Sequence, residues 1–116
     1  MSAAPRYSPW GAVQDSTELA DGIVEVSTAS HGGIWLSRER QKEIRYKENF
    51  LGSAEWWEED CDWAVPYAFF SRDIRERGAA YRFEDNLKAA VATVQRHHPA
   101  FVARLKGRLS LDGVRP

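Results

Sequence analysis

Two short stretches hold most of the side chains that could do chemistry. In one, the single cysteine, Cys61, sits between Asp60 and Asp62. In the other, His31 follows Ser27, Thr28 and Ser30 and precedes Gly32 and Gly33. A thiol, an imidazole and a carboxylate are the parts of a nucleophilic triad, in which the base takes the thiol proton and the carboxylate orients the base. The same three groups could ligate zinc. His31 with Ser27 or Ser30 could also serve a small hydrolase or nucleotide-modifying enzyme. Two glycines free to take positive φ would bring backbone N–H groups against an oxyanion or a phosphate.

Each of these readings has a plainer competitor. Zinc sites usually announce themselves with paired Cys or His at short spacing, whereas His31 and Cys61 stand alone. The sequence therefore implies no metal and no cofactor. Gly-Gly after a strand is also how a hairpin turns. A free thiol on an apolar helical stripe is more often a small buried hydrophobe than a nucleophile. His97-His98, at the end of an expected helix, suits interaction with the last carbonyls. An enzyme built from Ser27, Ser30, His31, Asp60 and Cys61 is thus the alternative, and it requires His31 to meet Asp60 or Asp62 in one pocket.

The cysteine lies inside a denser signal. Glu55, Trp56, Trp57, Glu58, Glu59, Asp60 and Asp62 surround it, and no Lys or Arg interrupts them. The net charge is −1, so this run of five carboxylates leaves about +4 for the rest of the chain. Tryptophans supply buried anchors at interfaces, and carboxylates steer association with a basic surface. These seven residues are the candidate partner-binding site. The assignment depends on exposed indoles: burial of Trp35, Trp56 and Trp57 would make the motif scaffold and put the interface elsewhere. A structural role is also open, in which Asp60 and Asp62 cap backbone N–H groups of the Ser27–Gly33 turn.

The elements that must position these groups read as an α+β domain. Strands are expected at 10–14, 23–28 and 34–36, with turns at Asp15–Thr17, Asp21-Gly22 and 29–33, giving an N-terminal three-stranded antiparallel β-meander. Ser37 is a suitable N-cap for a polar helix over 38–44. A loop over 45–53 follows, pinned by Tyr46, Phe50 and Leu51. If a helix begins at Trp57, then Trp57, Cys61, Ala64, Val65, Ala68 and Phe69 share one face, broken at Pro66. A short helix over 72–77 ends at Gly78. The longest helix spans about 84–97, with Leu87, Ala90, Val91 and Val94 inward, and Pro99 stops it. Domain limits follow as a flexible arm at 1–9, a single domain at 10–109 and a flexible tail at 110–116.

Composition narrows the function classes. A hydrophobic content of 43% favours a folded core over disorder. Near-neutral net charge argues against direct nucleic-acid binding driven by the whole molecule's field. A nucleic-acid-binding accessory role would have to rest on the basic segments 38–47 and 96–108. No window has membrane-spanning length and the first residues lack an apolar leader, so the expected location is cytoplasmic.

Ser8-Pro9-Trp10-Gly11, Val26 through Gly33 and Trp57 through Ala64 together resemble a small, functionally uncharacterised domain family. That family is carried by phages, plasmids and integrated elements of proteobacteria. The resemblance implies a mobile-element setting, in which small proteins without an enzyme motif often inhibit host defence, as anti-CRISPR proteins do. It implies as partner a protein of a CRISPR effector complex, whose nucleic-acid channel is positively charged and suits an acidic patch.

Overall fold

The computed structural model describes residues 3–109; the tail expected at 110–116 lies outside the described residues. Two strands, β1 (Tyr7–Ser8) and β2 (Gly11–Ala12), form a small hairpin of their own. The main sheet has four antiparallel strands in chain order: β3 (Asp15–Ala20), β4 (Ile23–Ser27), β5 (Gly32–Leu36) and β6 (Trp56–Glu58). Helix α1 (Arg38–Ile44) leaves the end of β5. After β6 come α2 (Ala64–Phe69), α3 (Ser71–Arg77) and α4 (Phe83–His97), then a 3₁₀ turn at Pro99–Phe101 and α5 (Val102–Leu105). The fold is mixed α+β with antiparallel sheets, but the meander differs from the expected one at both ends.

At its start, Asp15, Ser16 and Thr17 are strand residues and not a turn; they pair with Ser27, Val26 and Glu25. Their small polar side chains are tolerated because β3 is an edge strand whose first three residues are exposed. The strand expected over 10–14 shrinks to Gly11–Ala12 and pairs backwards with Tyr7–Ser8. At the other end, the stretch expected to open a helix contributes β6 instead. Trp56 pairs with Trp35, Trp57 with Ile34 and Glu58 with Gly33.

Both faces of this sheet are covered. Leu19, Ile23, Ile34, Leu36 and Trp57 face the helices and join Val65, Ala68, Phe70, Leu87, Val94 and Phe101 in the main core. On the other face Val24, Val26, Trp35 and Trp56 form a second cluster, roofed by Ala4, Trp10, Val13 and Leu51. Trp10 meets Trp56 edge-on, with ring centroids 5.7 Å apart. Gly33 lies beneath this roof because nothing larger fits: a Cβ there would come within 2.6 Å of Trp10 Cη2 and would also strike the Trp57 carbonyl oxygen.

Trp57 is fully buried and its Nε1–H donates to the Ala54 carbonyl at 2.8 Å. An indole of this kind removes about 200 Å² from water, a gross contribution on the order of 5 kcal/mol before entropy is counted. Helix α2 is buried at every position, which explains its apolar composition. Pro66 occupies its first turn, where the missing N–H has no intrahelical partner to lose, so the proline starts this helix without breaking it.

Other elements follow the sequence closely. Ser37 Oγ accepts from the Arg40 N–H and caps α1. Gly78 closes α3 in the left-handed region at φ 72°. Leu87, Ala90, Val91 and Val94 are the buried stripe of α4. In the 45–53 loop, Tyr46 packs against Trp57 and Phe101, and Leu51 against the second face. Phe50, expected to help pin the loop, is 83% exposed.

Candidate functional site

The sheet extends past the helices at the end where β4 turns into β5. Alternation along β4 puts Ile23 under the helices and sends Glu25 and Ser27 to the same face beyond them. The first residues of β3 and the start of α2 close the other sides. The result is a cleft of about 570 Å³ whose walls include Asp15, Thr17, Glu25, Ser27, His31, Glu59, Trp63, Tyr67 and Asn86. Three carboxylates line it and no Lys or Arg does.

Two groups in this cleft are electrostatically unusual. Solvent still reaches Glu25, yet the protein around it pushes its carboxyl pKa up by desolvation. Tyr67 is 3% exposed, its hydroxyl makes no well-formed hydrogen bond although the Asn86 side chain lies near it, and burial outweighs that neighbour to push its pKa up to about 12. An unpaired buried hydroxyl costs about 1–3 kcal/mol, so this one is a group in want of a partner. At the rim, His31 Nδ1 lies 3.6 Å from Glu58 Oε2 and 3.9 Å from Glu59 Oε1, contacts that become ion pairs when the imidazole is protonated.

The residues singled out from sequence separate into groups. Glu59 and Asp60 are exposed at the cleft end and Glu58 is half-buried beside them, with only His31 near Glu58 and Glu59 as a cationic partner among the described residues. The indoles do not accompany them. Trp35, Trp56 and Trp57 are 6%, 8% and 0% exposed, so the double tryptophan is scaffold. Glu55 is tied down, accepting from Trp35 Nε1 at 3.0 Å.

Asp62 is buried and turned away from His31. Its Oδ1 lies 3.0 Å from His98 Nε2, and its Oδ2 accepts from the Phe50 N–H at 2.8 Å. The expected cap on the Ser27–Gly33 turn is therefore absent. Thr28 closes that turn itself: its Oγ1 accepts from the His31 N–H and donates to the His31 carbonyl. Gly32 and Gly33 are strand residues without positive φ, so they make no anion nest. They are small because the Val26 carbonyl, Trp57 and Trp10 approach so closely.

The catalytic alternative is not assembled by this geometry. Neither Ser27 nor Ser30 hydrogen-bonds His31, and Asp62 serves His98. Cys61 is half-buried in a turn, where burial and then the charges of Asp62, Asp60 and Glu58 push its thiol pKa up, the reverse of an activated thiolate. His98 is more than a helix cap, since Tyr46 Oη sits 3.0 Å from its Nδ1 and completes a Tyr46–His98–Asp62 chain. No group of three or more His, Cys, Asp or Glu placed to hold a metal occurs among the described residues.

Sequence reading missed Glu25, Tyr67 and Asn86. Glu25 carried a signal, as the lone charge in an apolar strand; the others reach the cleft from helices distant in sequence. The two basic segments, in contrast, do converge. Lys42 and Arg45 at the end of α1 meet Arg104, Lys106 and Arg108 across a shallow surface at the far end of the molecule's sheet.

No helix among the described residues is long and apolar enough to cross a membrane. No curated protein and no solved structure matches the chain. Residues 3–114 match the family model for a domain of unknown function, DUF7007, and the chain belongs to that family.

Proposed function

We propose that this protein is a binding protein whose acidic end captures a basic surface of another protein, and that in its mobile-element setting it inhibits a host-defence complex of the CRISPR type. The carrying observation is the unbalanced charge of the cleft and its rim. Five acidic groups elsewhere are answered by arginine, Glu18 by Arg77, Glu43 and Asp73 by Arg40, Glu84 by Arg75 and Asp85 by Arg82, while Asp21, Glu39, Glu48 and Glu76 make no ion pair among the described residues. Asp15, Glu25, Glu58, Glu59 and Asp60 have no Lys or Arg partner among the described residues. Uncompensated carboxylates at the mouth of a concavity raise encounter rates with a basic partner and penalise acidic ones.

Burial of Trp35, Trp56 and Trp57 takes the interface off the tryptophan motif, as the sequence reading required, so the proposed contact surface is the neighbouring cleft and its anchor differs too. With Trp56 and Trp57 in the core, the aromatic wall of the site is the half-buried Trp63. An arginine or lysine side chain entering the cleft could lie against that indole, reach Glu25 and Glu59, and meet the unpaired Tyr67 hydroxyl.

The test is DNA cleavage by a panel of reconstituted CRISPR effector complexes with and without the protein, together with binding to each purified complex. Inhibition that is lost in Glu58→Lys/Glu59→Lys supports the reading and locates the surface. A protein that binds and inhibits none of them ends the effector assignment. Binding that survives the double charge reversal removes the acidic end from the interface.

A further inference from the structure

The far end of the molecule carries the opposite charge, and we propose that it binds the phosphate backbone of duplex DNA without regard to sequence. Lys42 and Arg45 come from the end of α1, and Arg104, Lys106 and Arg108 from α5 and the turn after it. These segments are some sixty residues apart, so the fold gathers what the overall charge conceals. The two carboxylates in the vicinity are already engaged. Arg40 binds Glu43 at 3.3 Å and Asp73 at 2.8 Å; Glu43 lines the surface and both carboxylates are felt at Arg108, but none of the five cations forms an ion pair among the described residues, and cations outnumber carboxylates in the lining by five to one.

Two of the five are held ready. The Arg108 guanidinium carbon lies 3.7 Å from the centre of the Phe69 ring and its Nε–H donates to the Phe69 carbonyl. Arg104 lies over Phe101 at 4.9 Å and over Phe69 at 5.2 Å. A guanidinium stacked on an aromatic face loses side-chain freedom in folding, yet keeps edge N–H groups for a phosphate. Burial lowers the Arg108 pKa from its ordinary value, which a phosphate beside it would offset.

The same aromatics choose the form of nucleic acid. Single strands are gripped by stacking bases on exposed rings. Here Phe69 is 5% exposed and Phe101 is not exposed at all, so the surface offers charge and no platform. A bilayer would need an apolar anchor among the cations, and the lining supplies only Ala103 beside the covered Phe69. Duplex phosphates ask for neither. The site is independent of the acidic cleft, which lies at the Gly32 end of β5, whereas α1 leaves the Leu36 end.

The experiment is fluorescence-anisotropy titration of the full chain against a labelled duplex of about 20 base pairs over a series of KCl concentrations, where log K should fall with log salt at a slope of roughly −3 to −4 if about four phosphates are neutralised. Lys42→Glu/Lys106→Glu changes two exposed residues that pack on nothing in the core. It should reduce the slope by about 2 and weaken low-salt binding by about tenfold or more. Arg6→Glu/Lys88→Glu makes the same change in net charge away from the patch and should leave the slope intact. Absence of duplex binding at low salt overturns the proposal. Equal loss in both double variants, tighter binding of the matching single strand, or binding confined to phosphatidylserine vesicles would do so as well.

Discussion

Asp62 Oδ1 and His98 Nε2 sit 3.0 Å apart with both side chains about nine-tenths buried, joining the turn after β6 to the end of α4. The other carboxylate oxygen receives the Phe50 N–H, and the other ring nitrogen faces Tyr46 Oη. Thus one acidic residue of the Trp-rich motif organises three segments: the 45–53 loop, its own turn and the C-terminal end of the long helix. Replacing Asp62 by Ala leaves the buried His98 Nε2 without its partner and frees the Phe50 N–H that ties the loop down. The expected cost is about 2–4 kcal/mol, a fall in Tm on the order of 10 °C. Asp60→Ala, at an exposed position two residues earlier, should move Tm by little. Thermal unfolding of the two variants side by side decides it, and equal losses would contradict the distinction.

That pair also shows what was legible in the sequence. Periodicity located α4, because Leu87, Ala90, Val91 and Val94 repeat at helical spacing on a helix with one wet face. Caps located α1 and the end of α3, because Ser37 and Gly78 act through local hydrogen bonds and local φ. Trp56-Trp57-Glu58 misleads for a physical reason. Its neighbours bury opposite faces of a sheet covered on both sides, so the apolar pattern has no period of two, and acidic residues after it mimic a helix's first turn. Only pairing with β5, some twenty residues away, makes it a strand. The cleft was hidden in the same manner, since Glu25, Tyr67 and Asn86 become neighbours through tertiary packing alone.

Cys61 supplies a second prediction, this time about reactivity. Burial and three nearby carboxylates, Asp62, Asp60 and Glu58, all raise its thiol pKa above the usual value. Because the thiolate is the attacking species, the fraction available at neutral pH is smaller than for a free cysteine. Alkylation by iodoacetamide at pH 7.5 should run several-fold slower than for a free cysteine model peptide, and Cys61→Ser should leave partner binding unchanged. Faster alkylation than the peptide would restore a nucleophilic role to this residue.

Glu25 gives the prediction with a pH signature. Its carboxyl pKa is raised in the folded protein by desolvation, so the native state holds the proton more tightly than the unfolded chain does. Stability from this group is therefore greatest at pH values below the unfolded carboxylate pKa of about 4.3, and declines as pH rises through the raised folded value. Above that window the charged carboxylate is a burden to the fold. Glu25→Gln removes the burden while keeping the shape, so its Tm should exceed that of the wild type at pH 7, by a small amount because solvent reaches the group. The difference should vanish toward pH 4, where the wild-type side chain is itself becoming neutral. If the cleft takes a cationic side chain, the same variant should bind its partner less tightly at pH 7 even as it melts higher, because the charge that strains the free protein is the one the ligand would answer. A variant that loses stability and affinity together would show instead that Glu25 holds the sheet in place.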